Sequence, residues 1–95
     1  MSKPARTIRA VIRGRVQGVW YRGWAVETAG ALGLNGWIRN CRNGSVEAVF
    51  SGPREAVEAM LAQCCQGPPS ARVVAVTVTD CDEILPAGFR QLPSR

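Results

Sequence analysis

Between Gly14 and Arg22 the chain reads Gly-Arg-Val-Gln-Gly-Val-Trp-Tyr-Arg, and these residue types at this spacing suit the grip of a doubly charged oxyanion. Gly14 and Gly18 close a five-residue turn, where glycine takes φ > 0 at no steric cost and lets main-chain N–H groups converge. A helix-like run follows, and its first turn offers unpaired N–H groups and the positive end of its dipole. Arg22 falls in that turn, where a guanidinium can fork onto the same anion. The stretch lacks the Gly-Lys-Ser/Thr ending of a nucleotide P-loop, so a phosphate-sized group is implied and a nucleotide is not.

Little else in the sequence could do acid–base or metal chemistry. There is no histidine. The four cysteines, Cys41, Cys64, Cys65 and Cys81, form no C-x-x-C pair, and their spacing suggests neither a zinc site nor a disulfide framework; reduced thiols are expected. Cys41 is the nearest candidate nucleophile, but no general base accompanies it. No metal and no cofactor are expected. The reaction that suits such a site has a leaving group that needs no proton. A carboxyl-phosphate anhydride qualifies, because it expels a carboxylate whose conjugate acid has a pKa of ~4.

The elements that must position these groups follow from apolar periodicity. Thr7 to Arg13 alternates, with Ile8, Ala10 and Ile12 on one face, and reads as a strand after a flexible basic arm at residues 1–6. Arg22 to Leu32 reads as a helix with Ala25, Ala29 and Leu32 along one seam. Asn35 to Arg42 reads as a second strand anchored in the core by Trp37. Asn43-Gly44 predicts a two-residue hairpin with φ > 0 at both positions. Ser45 to Ser51 returns with Val46, Ala48 and Phe50 on one face. Pro53 is expected at a first helical position, opening a helix with Val57, Met60, Leu61 and Cys64 on one side. Ala71 to Thr79 is a β-branched run with Val74, Val76 and Val78 on one face, and Phe89 to Leu92 could add a short edge strand.

The order is β-α-β-β-α-β, which predicts an α+β ferredoxin-like split βαβ domain over residues 1–95, an antiparallel sheet with two helices on one face. A right-handed crossover makes the first two strands parallel, and their hairpin partner inserts between them. Their C-terminal ends then share one sheet edge, roughly 9–10 Å apart. Asn40 at one end therefore faces the glycine turn at the other. An asparagine beside a hairpin can also serve as a turn or capping residue; opposite an anion pocket, its neutral amide can hold a water in line for attack. Main-chain N–H groups and Arg22 would offset the phosphoryl charge.

At these residues the sequence resembles the acylphosphatase family. The Gly14–Arg22 stretch resembles its phosphate-binding signature, and Leu32-Gly-Leu-Asn-Gly-Trp-Ile-Arg-Asn40 resembles its second, extended by Asn43-Gly44-Ser-Val-Glu-Ala. Gly67-Pro68-Pro69-Ser-Ala-Arg-Val and Phe89 are similar to the family's later segments. The resemblance implies metal-independent hydrolysis of acyl phosphates to carboxylate and inorganic phosphate. It maps the catalytic arginine to Arg22, the water-positioning asparagine to Asn40, and the phosphate-cradling amides to Arg15, Val16, Gln17, Gly18 and Val19. Tyr21 stands where the family commonly has phenylalanine.

Composition bounds the partners. The chain of 95 residues carries a formal charge of +5, with eight Lys/Arg and one acid in residues 1–42 against four and six in residues 43–95. That asymmetry suits a small anion or nucleic acid alike. A non-catalytic basic module of the same fold that binds nucleic acid is thus the alternative, though no RNA-recognition signature is present and Trp37 and Phe50 are expected in the core. No apolar run approaches the ~20 residues of a membrane span, and no signal peptide is apparent. A cytoplasmic monomer is expected, with an acyl phosphate as substrate, inorganic phosphate as product and inhibitor, and no membrane or nucleic-acid partner.

Overall fold

The computed structural model describes residues 5–95, and within them the chain forms β1 (Ala5–Arg15), α1 (Tyr21–Ala31), β2 (Asn35–Asn40), β3 (Val46–Pro53), α2 (Arg54–Cys64), β4 (Arg72–Asp80) and β5 (Phe89–Gln91). The order is the expected one, with the short edge strand added. The sheet runs β4-β1-β3-β2-β5. β3 pairs antiparallel with both β1 and β2, so those two strands run parallel and end on one edge, as the crossover requires. β5 pairs parallel with β2, which makes the sheet mixed where an antiparallel one was expected.

Alternation along the strands selects the core. Ile8, Ala10 and Ile12 of β1, Ile38 of β2, and Val46, Ala48 and Phe50 of β3 are fully buried. They pack with Ala25 and Ala29 of α1 and with Val57, Met60 and Cys64 of α2, so both helices cover one face. Each fully buried Val, Leu, Ile, Phe or Met side chain contributes ~1.5–3 kcal/mol. That burial outweighs the glycines at 23 and 30, which weaken α1 by up to ~1 kcal/mol each.

Several local expectations are corrected. The predicted arm at residues 1–6 lies outside the described residues at positions 1–4. Ala5 and Arg6 already belong to β1, opposite Pro53 and Gly52. Pro53 closes β3 and precedes α2 with an extended ψ of 139°, so its fixed φ leads into the helix from outside it. Trp37 is not in the core: it lies on the sheet face opposite the helices, its indole N–H donating to Glu83 at 2.8 Å. Gly36 and Ile38 take the inward positions of β2 instead.

Of the three valines expected on one face of β4, only Val76 packs against the core; Val78 is 37% exposed and Val74 82%. The cause at Val74 is a bulge. Arg13 pairs with Ala75 while Gly14 pairs with Val73, so Val74 is the extra residue and the inward register passes to Val73. Gly14, at φ 127°, makes this possible: a Cβ there would stand 2.2 Å from the Arg72 carbonyl oxygen.

On the open face a buried carboxylate organises its neighbours. Glu47 is 3% exposed; it accepts hydrogen bonds from Arg39 at 2.9 Å and from Arg9, and Arg95 approaches to 3.8 Å. Burial alone would push its carboxyl up, but the bonds and charges of Arg39 and Arg9 outweigh that and hold it below the usual carboxylate range.

Two outcomes follow. Gly14→Ala should lower the denaturant-unfolding free energy by roughly 1–3 kcal/mol, while Val74→Thr should stay within about 0.5 kcal/mol of the parent. Glu47→Gln should cost roughly 1–2 kcal/mol at pH 7, since Arg9 and Arg95 are well solvated. Because the folded carboxyl titrates below its unfolded value, its contribution is full above the unfolded pKa and lost as pH falls through the folded one. The gap between the melting curves of Glu47→Gln and the parent should therefore narrow as pH falls below the unfolded carboxyl value of ~4.3 and close once pH passes the folded one.

Candidate active site

The bulge at Gly14 ends the regular ladder, and after Arg15 the chain turns through Val16–Trp20 into α1. Gly18 takes φ 72° and Trp20, the helix N-cap, takes φ 66°. A non-glycine residue in that region carries ~1–3 kcal/mol of strain. Two features hold Trp20 there: its carbonyl accepts the Trp24 N–H at 3.0 Å, and its indole folds over Gly23. A Cβ at Gly23 would stand 2.2 Å from the indole nitrogen, so the glycine that weakens the helix also seats the ring. No side chain caps α1 and its first turn has no acid. The orphan N–H groups and the positive end of the helix dipole therefore have no side-chain partner here.

Asn40 ends β2 on the helix side of the sheet, in phase with Gly36 and Ile38. The β2–β3 connection beyond it differs from the predicted two-residue turn. Among these residues only Gly44 has positive φ, and the Gly44 N–H reaches the Cys41 carbonyl at 3.1 Å. The Asn43 side-chain oxygen accepts the Ser45 N–H at 3.0 Å and its hydroxyl at 2.6 Å. Asn43 thus completes the turn with its side chain, so its own backbone need not enter the left-handed region.

Gln17 joins the two halves. Its Nε2 donates to the carbonyls of Cys41 at 2.8 Å and Ser45 at 2.9 Å, which pins the glycine turn to the hairpin neck just beyond Asn40. Sequence reading counted Gln17 only for its backbone amide. Its side-chain role needs the fold, because the partners are 24 and 28 residues away.

Between these elements lies a cavity of about 150 Å³, lined by Val16, Gln17, Gly18, Trp20, Arg22 and Asn40 among others. That is ample for several water molecules or one small tetrahedral oxyanion. Arg22 has no hydrogen-bond or ion-pair partner among the described residues. The side-chain oxygen of Asn40 is buried and unpaired. A buried acceptor left without a partner costs ~1–3 kcal/mol and is uncommon in a folded chain.

Arg15 and Val19 do not line this cavity. Arg15 pairs with Arg72 in the sheet and borders a separate groove with Pro69 and Ser70; Val19 packs into the core. Four further residues do line it, Trp20, Tyr21, Gly23 and Gln91. Gln91 is in register with Ile38 on the parallel edge strand, which puts it beside Asn40. Its position depends on the β5 pairing, and no sequence spacing signalled that.

Two buried groups behind the cavity, Tyr21 and Cys64, stay neutral. Tyr21 is fully buried, and burial raises its hydroxyl well above the usual range; the hydroxyl donates to the Cys64 carbonyl at 2.8 Å. Burial likewise pushes the Cys64 thiol up to about 12. The extra hydroxyl of Tyr21 ties the start of α1 to the end of α2. No group of three or more His, Cys, Asp or Glu side chains that could hold a metal ion occurs among the described residues.

Gln17→Ala should remove two hydrogen bonds but orphan neither carbonyl, because Gly44 and Cys41 N–H groups still serve them. The expected loss is about 1 kcal/mol per bond in chemical denaturation. The rise in melting temperature produced by inorganic phosphate should shrink with it.

The acylphosphatase family model matches residues 8–91. An acylphosphatase of Rhodospirillum rubrum is 57% identical, covering 94% of this chain and 98% of the relative. One of Rhizorhabdus wittichii is 47% identical over 97% and 94% of the two chains. Among solved structures, an acylphosphatase from Coxiella burnetii superposes with a TM-score of 0.89 at 31% identity, covering 93% of each chain.

Proposed function

The chain belongs to the acylphosphatase family, and on that premise we propose how its residues divide the work of hydrolysing an acyl phosphate to a carboxylate and inorganic phosphate. Main-chain N–H groups of the Arg15–Val19 segment hold the phosphoryl oxygens together with the Arg22 guanidinium. Of that segment, Val16, Gln17 and Gly18 border the cavity. The Asn40 carboxamide accepts a hydrogen bond from the attacking water and orients it opposite the leaving carboxylate. The observation that carries this reading is the unpaired, buried Asn40 oxygen in the same small cavity as the unpartnered Arg22.

The chemistry asks little more of the protein. Phosphoryl transfer depends on positioning and charge stabilisation, and the uncapped N-terminus of α1 and Arg22 supply the positive potential. A carboxylate leaves without protonation, and a phosphoryl oxygen of the substrate can take the water's proton, so no side-chain acid or base is required. No metal is needed for any of these steps. A cytoplasmic monomer is the proposed setting, supported by four unpaired cysteines; no helix among the described residues is long and apolar enough to cross a membrane. The alternative of a non-catalytic nucleic-acid module is not favoured by relatives that are acylphosphatases over nearly the full chain.

Benzoyl phosphate hydrolysis followed by ultraviolet absorbance should persist in excess chelator, with inorganic phosphate as a competitive inhibitor. Arg22→Ala should lose kcat and raise KM, whereas Asn40→Ala should lower kcat by about a hundredfold or more with KM nearly unchanged. Intact benzoyl phosphate in the presence of pure, folded, chelated protein would overturn the assignment.

A further inference from the structure

The acyl phosphate cavity uses one arginine of the basic N-terminal half, and three of the others gather elsewhere with Arg95. On the open face of the sheet lies a groove of about 550 Å³, bordered by Arg9, Arg13, Arg42 and Arg95, with Val11 and Glu47 on its floor. β1 contributes Arg9, Val11 and Arg13 from successive outward positions, and the β2–β3 turn forms one wall with Arg42. The lining carries four guanidinium groups against one carboxylate. That carboxylate is already engaged by Arg9, Arg39 and Arg95. Arg13 and Arg42 have no hydrogen-bond or ion-pair partner among the described residues.

We propose that this groove binds a compact polyphosphate, two or three linked phosphates either free or carried by a nucleoside, at a site separate from the acyl phosphate cavity. Glu47 does for this site what a fixed strut does: it is buried, and its bonds hold Arg9 in one orientation before any ligand arrives. Guanidinium forks match phosphate oxygens in bidentate pairs, and two unpaired forks beside a pre-set one span more than a single phosphate. The volume, several times that of the catalytic cavity, suits the same ligand.

A single-stranded nucleic acid is the less suitable occupant. Such strands need exposed aromatic faces on which bases stack. The one aromatic ring on this side, Trp37, has the Arg39 guanidinium 4.7 Å from its centroid and Glu83 on its indole nitrogen.

Isothermal titration of the full chain with inorganic tripolyphosphate tests this. Binding should weaken as salt rises. It should fall about tenfold or more in an Arg13→Ala/Arg42→Ala double variant whose benzoyl phosphate hydrolysis and melting temperature match the parent. Binding should survive in Arg22→Ala, which separates the two sites. Adenosine triphosphate that binds like tripolyphosphate assigns recognition to the phosphate chain; tighter binding assigns it to a nucleoside polyphosphate. Unchanged tripolyphosphate affinity in the double variant overturns the proposal, as does its loss in Arg22→Ala. A single-stranded oligonucleotide that binds more tightly than tripolyphosphate at equal phosphate concentration would replace it with a nucleic-acid surface.

Discussion

The insertion of β3 between β1 and β2 is the constraint on which the rest depends. Antiparallel pairing on both sides forces β1 and β2 to run the same way and to end on the same edge. One of those ends becomes the glycine turn, and the other becomes Asn40. Were β2 to pair directly with β1, as in a simple parallel βαβ unit, the two ends would be one strand spacing of about 4.8 Å apart. With β3 between them the two ends stand two spacings apart, roughly 9–10 Å.

That gap must be held open and kept empty of the protein's own side chains. The Gln17 amide fixes the spacing from one side, with hydrogen bonds to two hairpin carbonyls. The strained N-cap at Trp20 keeps side chains off the helix N–H groups, since it offers no capping oxygen of its own. A serine or aspartate there would stabilise α1 by about 1 kcal/mol and would occupy the donors that an oxyanion needs. The site thus exchanges local stability for unsatisfied polar groups, and the apolar core between sheet and helices supplies the surplus.

Charge is divided between the two faces of one sheet. Arg22 borders the cavity on the helix side, next to Tyr21, whose hydroxyl is kept neutral by burial. On the other side Arg9, Arg13, Arg39 and Arg42 surround a carboxylate that is buried because long neighbouring side chains cover it. The alternation of strand residues makes this separation possible: adjacent positions in β1 and β2 serve opposite surfaces, so Asn40 and Arg39 belong to different environments although they are bonded neighbours.

Local pattern determined most of the fold. Period-2 alternation placed Ile8, Ala10, Ile12, Val46, Ala48 and Phe50 inward, and helical spacing placed Ala25, Ala29, Val57, Met60 and Cys64, because each depends only on which side of its own element a residue projects. The element order and the handedness of crossovers then bring Arg22 and Asn40 to one edge of the sheet. What escaped the sequence depends on pairing between distant segments. A bulge at Gly14 turned Val74 outward, β5 joined in parallel and brought Gln91 to the cavity, and Gln17 found carbonyls across the hairpin. Trp37 looked like an anchor because hydrophobicity does not say which face is covered. Its burial or exposure was decided by where the two helices lie, and only long-range packing fixes that.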